Sequence, residues 1–589
     1  MARSIPGIPT WDEIPQFAGA LRAAFAEGYD RAALRADLLA GAVVAIVALP
    51  LSMALAIAVG VTPEHGLYTA IVAGLVVALL GGSRYQVTGP TAAFVVVLAP
   101  IANRHGVEGL LTAGLLAGLM LLAMGALRMG RLIEFIPHPV TTGFTAGIAT
   151  VIFALQLKDA TGLEVGKLPD AFPEKMLALW HARGSASFAD IAVSVGTLAV
   201  LVGFPRLTRK IPAPLVGIVL AALAVAAIRH YLPDLRVATV GSRFHSTVDG
   251  LLVPGIPRAP PMPRSPWGEH LSLGYVRELL PAGFAIAMLG AIESLLSAVI
   301  ADGMTGKRHD PNGELIGLGV GNILAPFFGG IAATGALART ATNVRSGARS
   351  PLAAVFHAIF VLLVVLAAAP LVAYVPMASL AALLMLVAWN MSDIQHVRHL
   401  MRLAPKSDVF VLVGCYVLTV LFDMVIAVTA GVLFAALLFM RRMAELTQTR
   451  VLSSAPTVRQ GPVSLPRRVV LYEIAGPLFF GAAQQAMRQL DVLGADVSVV
   501  IFDLSKVSVI DATGLVALES ALDRLQGNRI LVILSGPLPK PESVFDKRSL
   551  EAHHRNVLFA SSIDEAVSIA RDLALLSPEW NAASSVRSA

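Results

Sequence analysis

The chain has 589 residues, of which 56% are hydrophobic and only 14% are charged, and its mean hydropathy is +0.73. A soluble protein carries roughly 25% charged residues, so this composition excludes an ordinary soluble globular protein. We attribute the formal net charge of +6 to the lysines and arginines of cytoplasmic loops, not to nucleic-acid binding. The single cysteine, Cys415, excludes a disulfide within the chain.

Residues 1–34 predict a cytoplasmic leader and not a cleaved signal peptide. The segment is mixed in polarity, with Trp11 followed by two acidic residues, and lacks a short apolar stretch beside a small-residue cleavage site. Within the leader, residues 17–25 predict a short amphipathic helix.

Residues 35–443 predict a transmembrane transport domain, because long apolar runs recur there with few charges between them. Each run is near the roughly 20 residues that a helix needs to cross a bilayer. The runs are apolar on all faces, unlike the amphipathic helices around a large soluble core. We count about fourteen segments, two of them short: 37–59, 67–81, 88–101, 109–127, 133–156, 187–204, 212–229, 277–301, 314–329, 334–347, 353–373, 377–391, 408–422 and 424–441.

The basic residues between these segments set the predicted orientation. If the amino terminus is inside, every second loop is cytoplasmic and carries Lys or Arg, whereas the alternate loops are acidic, mixed or nearly uncharged. This distribution follows the positive-inside rule. It predicts that both termini lie in the cytoplasm.

A weak internal repeat relates the two halves of the transport domain. Gly66–Gly82 ends in two glycines and precedes Thr88-Gly89, and Gly313–Gly330 ends in two glycines and precedes Thr334-Gly335. Seven spans per half would give the halves opposite orientations, which is the inverted-repeat plan of secondary transporters. The alternative is a chance similarity between glycine-rich apolar sequences.

Two interrupted segments within this repeat form the candidate substrate site. Gln86–Thr91, which contains Pro90, precedes one apolar helix, and Ala333–Thr340 contains a second break. Each break leaves free N–H groups at a helix start, and two such starts that face each other would bind an anion. Arg339 adds a positive charge and a planar fork that matches a carboxylate or a similar oxyanion. The alternative is that Arg339 faces a cytoplasmic loop.

Glu293 is the second informative charge, because it lies deep in an apolar span. An intramembrane carboxylate is costly, normally faces a cavity or a partner, and can exchange a proton. Ser297 lies one turn further on the same face. We predict that Glu293 and Ser297 serve proton coupling; the alternative is a structural glutamate paired with an arginine, for which Arg339 is one candidate. We place Asp423 in an external hairpin without a coupling role.

After Arg442 the composition becomes that of a small soluble domain. Residues 444–466 predict a polar linker, residues 467–575 a small α/β domain, and residues 576–589 a disordered tail. Asp511 is predicted to cap the helix that begins beside it. The remaining predicted elements are the strands Val469–Ile474, Val497–Leu504 and Ile530–Ser535 and the amphipathic helix Ile563–Leu573.

These motifs resemble those of the SulP anion permease family, also called solute carrier family 26, from about Ala33 to Leu573. Residues 63–70 are similar to the signature that follows the family's first helix, and Asp511–Leu515 resembles a STAS domain. Residues 87–93, 290–295 and 338–345 are similar to the third, eighth and tenth helices of the family. Within the family, the stretches 302–306 and 420–427 look most similar to a bacterial C4-dicarboxylic acid transporter.

The resemblance implies an α-helical polytopic protein of the bacterial inner membrane, with core and gate domains in a seven-plus-seven inverted repeat and a cytoplasmic α/β STAS domain. It implies proton-coupled uptake of succinate, fumarate or aspartate by alternating access. Symport or exchange of bicarbonate or sulfate is the alternative, and an uncoupled anion channel is a third. The expected partners are the small anion, the proton, the lipid bilayer, a second copy of the chain and a cytoplasmic protein that meets the STAS domain. We expect no cofactor, no metal, no nucleic acid and no enzymatic activity.

The residues that we assign to the substrate site come from the first, third and tenth predicted spans. They are Leu51, Leu55, Thr88, Gly89, Pro90, Thr91, Gly335, Ala338, Arg339 and Thr340. Proton coupling is assigned to Glu293 and Ser297.

Overall fold

The architecture comes from a computed structural model of the chain. It describes residues 18–133, 137–166, 168–169, 171–208, 211–231, 237–248, 251–268, 272–422, 424–445, 448–453, 465–466, 468–478, 483, 486–487, 490, 497–536 and 556–576. The predictions for Asp423, for residues 1–17 and for the tail beyond residue 576 lie outside these residues. The chain divides into two compact units, Met1–Val432 and Leu433–Ala589.

The first unit is built from α-helices and two short strand pairs. Strand β1 (Thr88–Gly89) pairs with β4 (Thr334–Gly335), and β2 (His245–Val248) pairs with β3 (Leu251–Pro254). The helices are α1 (Gly19–Ala26), α2 (Arg31–Val59), α3 (Pro63–Leu80), α4 (Ala92–Ala126), α5 (Gly130–Ile133), α6 (His138–Ala160), α7 (Phe172–His181), α8 (Phe188–Leu207), α9 (Ala213–Tyr231), α10 (Val240–Arg243), α11 (Leu273–Thr305), α12 (Pro311–Phe327), α13 (Leu337–Arg345), α14 (Leu352–Val372), α15 (Met377–Ser392), α16 (Ile394–Leu403), α17 (Lys406–Leu421) and α18 (Met424–Glu445), the last of which continues into the second unit.

All fourteen predicted membrane segments fall on these helices. The third and fourth segments both lie on α4, which is broken at Gly106, where φ is 68°. The third and tenth segments each consist of a two-residue strand and the helix that follows it. Within the described residues, nine helical stretches are long and apolar enough to cross a bilayer, with α15 and α16 counted as one, and α12, α13, α17 and α18 complete the set.

The helices sort into two groups according to what they pack against. One group contains α2, α3, α4 and α11 to α14, and the other contains α6, α8, α9, α15 and α17. In the first group, glycines bring backbones together: a Cβ at Gly66 would lie 2.0 Å from the carbonyl oxygen of Ser52, and one at Gly118 would lie 2.6 Å from the nitrogen of Ile323. Small residues at these crossings therefore permit the close helix packing typical of membrane proteins. The two groups agree with the predicted core and gate domains.

The second unit has a five-stranded sheet in the order β5 (Gln448–Ser453), β6 (Val469–Ala475), β7 (Val499–Lys506), β8 (Leu531–Ser535) and β9 (Val557–Ala560). Strand β5 is antiparallel to β6, and the other pairs are parallel. The helices Ala512–Gly527 and Ile563–Leu576 complete the α/β unit. The predicted cap is confirmed, because Asp511 Oδ1 accepts the N–H of Gly514 at 2.7 Å.

Strand β5 lies in the segment that the sequence analysis assigned to a linker. Its pairing with β6 over Gln448–Ser453 shows that part of this segment belongs to the sheet. The strand has only two large apolar residues, Val451 and Leu452, so it gives little of the apolar alternation that identifies strands. Residues 454–464 of the predicted linker lie outside the described residues.

Candidate functional site

The two interrupted segments lie side by side in the first unit. Thr88 pairs with Gly335 and Gly89 with Thr334 in an antiparallel register, and all four residues are buried. The N–H of Ala336 extends the pairing by donating to the carbonyl of Val87 at 2.9 Å. Helix α4 begins shortly after β1, and α13 begins shortly after β4. The starts of two helices therefore lie on either side of one short strand pair, which is the arrangement that the breaks predicted.

Arg339 lies in the first turn of α13, and its side chain is buried against the first break. It is 1% exposed, whereas Arg345 on the last turn of the same helix is exposed. Nη2 donates to the carbonyl of Pro90, and a Cβ at Gly89 would lie 2.5 Å from Nη1, so glycine leaves room for the guanidinium. The alternative that Arg339 faces a loop is therefore wrong.

Two donors of this guanidinium remain available. Nε and Nη1 of Arg339 have no hydrogen-bond partner among the described residues. A buried donor without an acceptor costs roughly 1–3 kcal/mol, and more when it is charged. A small oxyanion could accept from Nε or from Nη1 and reduce this cost, but not from both at once, because their N–H bonds point toward different edges of the guanidinium. The geometry thus suits a small anion beside the strand pair.

Glu293 and Ser297 on α11 each contact one of the breaks. Oε2 of the partly buried Glu293 accepts a hydrogen bond of 2.8 Å from the hydroxyl of Thr91, the residue that precedes α4. The hydroxyl of Ser297 lies 3.0 Å from that of Thr340 on α13, which also accepts the N–H of Val87 at 3.1 Å. Helix α11 therefore connects to both segments through side chains.

Glu293 and Arg339 do not form a direct ion pair, although both belong to the described part of the chain. A purely structural pairing of Glu293 with Arg339 is therefore not what holds either residue in place. Each side chain instead bonds to the first break, Glu293 through Thr91 and Arg339 through Pro90.

The other predicted residues differ in how directly they reach the site. Leu51 and Leu55 are buried on α2, the helix that packs against both α4 and α13. Ala338 is exposed on α13, and the buried hydroxyl of Thr88 has no partner among the described residues. Within the same residues, no group of three or more His, Cys, Asp or Glu side chains is placed to hold a metal ion.

A buried carboxylate next to the site was missed from the sequence. Glu314, in the first turn of α12, is 1% exposed. Its Oε1 accepts from Nε2 of Gln86 at 2.7 Å, and its Oε2 accepts the N–H groups of Gly82 and Ser83 at 3.0 Å each. Signals for both side chains were present, since Gln86 opens the first interrupted motif and Glu314 opens a predicted span. Glu314 is hard to identify from sequence because a carboxylate at the edge of an apolar run equally marks the end of a membrane span.

An ion cluster outside the membrane segments ties α1 to the rest of the unit. The carboxylate of Glu27 lies 2.5 and 2.6 Å from the two Nη atoms of Arg84 and 3.2 Å from Nζ of Lys307. Hydrogen bonds from Arg84 first, and then from Lys307, lower the pKa of Glu27 to about 2. The cluster connects α1 to the segments that follow α3 and α11.

Known protein families and individual proteins are similar to this chain in sequence. The profile of the Sulfate permease family matches residues 34–415, and that of the STAS domain matches residues 463–566. The chain is 39% identical to "Putative sulfate transporter YvdB" of Bacillus subtilis (strain 168), over 89% of this chain and 95% of that protein. It is 29% identical to "Bicarbonate transporter BicA" of a Picosynechococcus species, over 88% of this chain and 91% of that protein.

A solved structure supports the same fold. The murine Solute Carrier 26 family member A9 (Slc26a9) anion transporter, in its inward-facing state, superposes with a TM-score of 0.81. The match covers 97% of this chain and 96% of that chain at 17% sequence identity. At this identity the similarity concerns the fold and not the cargo.

Proposed function

Because the chain belongs to the sulfate permease family, we propose that it is a secondary transporter that moves a small oxyanion across the membrane by alternating access. The observation that carries the proposal is Arg339, a buried guanidinium with two unpaired donors beside the paired breaks. The free N–H groups at the starts of α4 and α13 add a favourable potential for the same anion. The family consists of anion transporters and not of enzymes.

The preferred cargo in this proposal is an inorganic oxyanion, sulfate or bicarbonate. Two relatives that align over most of the chain are named as transporters of these anions. Each anion presents several oxygen acceptors on one central atom, and the Nε or the Nη1 donor of Arg339 could bind one of them.

A C4-dicarboxylate such as succinate, fumarate or aspartate is the second candidate. The fork of Arg339 matches one carboxylate equally well, and the stretches 302–306 and 420–427 resemble those of a C4-dicarboxylic acid transporter. The second carboxylate would then depend on the N–H groups at the start of α4. The two candidates therefore differ in whether that helix start must bind a full second charge.

We propose that the coupling ion is the proton and that Glu293 carries it. Its carboxylate bonds to Thr91 at the residue before α4, so a change in its charge acts directly on the first break. Ser297 and Thr340 provide the neighbouring hydroxyl contact between α11 and α13. Coupling would thus link proton binding to the position of the anion site.

The orientation and assembly form part of the same proposal. The basic loops support a cytoplasmic location of both termini, and we place the protein in the bacterial inner membrane. The family resemblance supports a homodimer and a STAS domain that meets a cytoplasmic protein partner.

Uptake by the purified full-length protein in proteoliposomes tests the function. Labelled sulfate, bicarbonate and succinate are offered separately, with and without an inward proton gradient. Uptake of sulfate or bicarbonate, lost in Arg339→Ala and kept in Arg345→Ala, is the expected result. Gradient-driven succinate accumulation without sulfate or bicarbonate uptake would reverse the order of the candidates. Absence of uptake for all three anions would refute the proposed function.

A further inference from the structure

Four hydrogen-bond donors converge on the carboxylate of Glu314. They are the backbone N–H groups of Gly82 and Ser83 at 3.0 Å, Nε2 of Gln86 at 2.7 Å and the hydroxyl of Ser294 at 3.4 Å. An ionised carboxylate accepts hydrogen bonds on both oxygens and donates none. A surrounding set made only of donors therefore fits the ionised form.

The chain is shaped to bring these donors to Glu314. A Cβ at Gly82 would lie 2.1 Å from the carbonyl oxygen of Asp310, and one at Gly81 would lie 2.8 Å from Oε2 of Glu314. Only glycine allows the end of α3 to approach the start of α12 this closely. The two glycines that mark this point in the sequence therefore serve the contact with Glu314.

Gln86 carries this contact to the strand pair. Its Nε2 donates both to Glu314 and to the hydroxyl of Ser294, at 2.7 and 2.5 Å. The same side chain lies over β4, because a Cβ at Gly335 would be 2.2 Å from that nitrogen. Thr88 pairs with Gly335 only two residues after Gln86. The position of β1 against β4 thus depends on where Glu314 holds Gln86.

Helix α12 also holds the second break, with different chemistry. Oδ1 of Asn322 accepts the N–H of Ala333 at 2.8 Å, and Nδ2 donates to the carbonyl of Ala333 at 2.9 Å. Ala333 immediately precedes β4. Helix α12 therefore holds the residues that precede both strands. It uses the carboxylate of Glu314 before β1 and the neutral amide of Asn322 before β4.

We propose that Glu314 is a positioning residue for transport, which fixes β1 against β4 by holding residues 82–86. The inference rests on the proposed function, because the strand pair is the anion site in that proposal. Glu314 acts through Gln86 and the backbone and does not touch the anion. Its loss should therefore displace the site as well as weaken the fold.

An exchange of partners tests this role. In Glu314→Gln an amide N–H₂ must face either the backbone donors or the amide of Gln86, and in Gln86→Glu two carboxylates face each other. In the double variant Glu314→Gln/Gln86→Glu the new amide can accept from Gly82 and Ser83 and donate to the new carboxylate. We expect each single variant to lower uptake per folded protein by roughly tenfold, mainly because KM rises. This is the size of effect that one unpaired buried polar group produces. The double variant should recover most of this loss.

A second readout does not depend on transport. Hydrogen exchange of the peptide that contains residues 81–89 should accelerate in Glu314→Gln and slow again in the double variant. Glu278→Gln, an exposed glutamate on α11, serves as the matched control and should change neither readout. If the wild-type protein moves none of the three anions, the proposed function fails. The hydrogen-exchange measurement still tests whether Glu314 holds residues 82–86 in place.

Two outcomes would overturn the inference. One is a Glu314→Gln protein with a lower melting temperature but unchanged KM and unchanged exchange at residues 81–89, which would make the residue purely stabilising. The other is a double variant no better than the worse single variant in either readout. If Glu314→Gln does not fold, the comparison of Gln86→Glu with the double variant gives the same decision.

Discussion

Replacement of Arg339 tests the anion site most directly. Arg339→Ala removes the positive charge and the two unpaired donors, and Arg339→Lys keeps the charge but replaces the planar fork with a compact ammonium group. In both variants the hydrogen bond to the carbonyl of Pro90 also changes. The lysine variant therefore separates the contribution of charge from that of the fork.

The structure gives the size of the expected effect. A hydrogen bond to a charged group contributes about 1.5–3 kcal/mol, so the loss of one guanidinium donor removes about that much of the free energy of anion binding. At 1.4 kcal/mol for each tenfold change, the lower value corresponds to roughly tenfold weaker binding by Arg339→Ala. Arg339→Lys should show an intermediate loss, because the ammonium keeps the charge but not the positions of the guanidinium donors.

The assay combines equilibrium binding of labelled sulfate to the purified protein with the KM of uptake in proteoliposomes. Arg345→Ala is the matched control, because this arginine is exposed on the last turn of the same helix. Near-native folding of each variant is checked by its melting temperature. If folded Arg339→Ala binds the anion as tightly as Arg345→Ala does, Arg339 is not an anion ligand and the reasoning fails.

Three further predictions concern coupling, packing and pH. Glu293→Gln should abolish accumulation driven by a proton gradient but keep downhill flux, whereas Glu278→Gln should keep both; unchanged accumulation in Glu293→Gln would indicate an uncoupled channel. Gly66→Ala should destabilise the protein by about 1–3 kcal/mol, because its Cβ would overlap the backbone of α2, whereas Gly196→Ala, which has open space around it, should not; equal melting temperatures would contradict the packing. Since the pKa of Glu27 falls from 4.5 to about 2, its ion pairs are complete above pH 4.5 and are lost as the pH falls toward 2. The melting temperature of Glu27→Gln should therefore differ from that of the wild type by a constant amount between about pH 6 and 8, and by less in acid; a difference that grows in acid would contradict this sign.

The membrane architecture could be predicted from the sequence because each span is a local signal. A run of apolar residues of sufficient length has one stable solution in a bilayer, a helix that satisfies its own backbone. The repeat of Thr88-Gly89 and Thr334-Gly335 also placed the two breaks in the same relation to the preceding helices. The sequence predicted that the two helix starts face each other, but not that the residues before them pair as strands, nor the register of that pairing.

The contacts of Glu314 could not be predicted in this way, because its partners are far apart along the chain. Gly82 and Ser83 precede it by more than 200 residues, and Gln86 connects to it only after α3 and α12 have packed together. Neither the periodicity nor the composition of the sequence near Glu314 indicates which distant residues it contacts. Strand β5 was missed for a related reason, since an edge strand with few apolar residues is identified by its neighbour and not by its own sequence.

The two halves share a backbone plan, but they contribute different chemistry to the site. At the position of Arg339 in the second half, the first half has the buried Ala93, so the positive charge comes from one break only. At the position of Thr91, which bonds to Glu293, the second half has Leu337, which is 48% exposed. The repeat therefore supplies two helix starts beside one strand pair, and the departures from the repeat supply the guanidinium of Arg339 on one side and the link to Glu293 on the other.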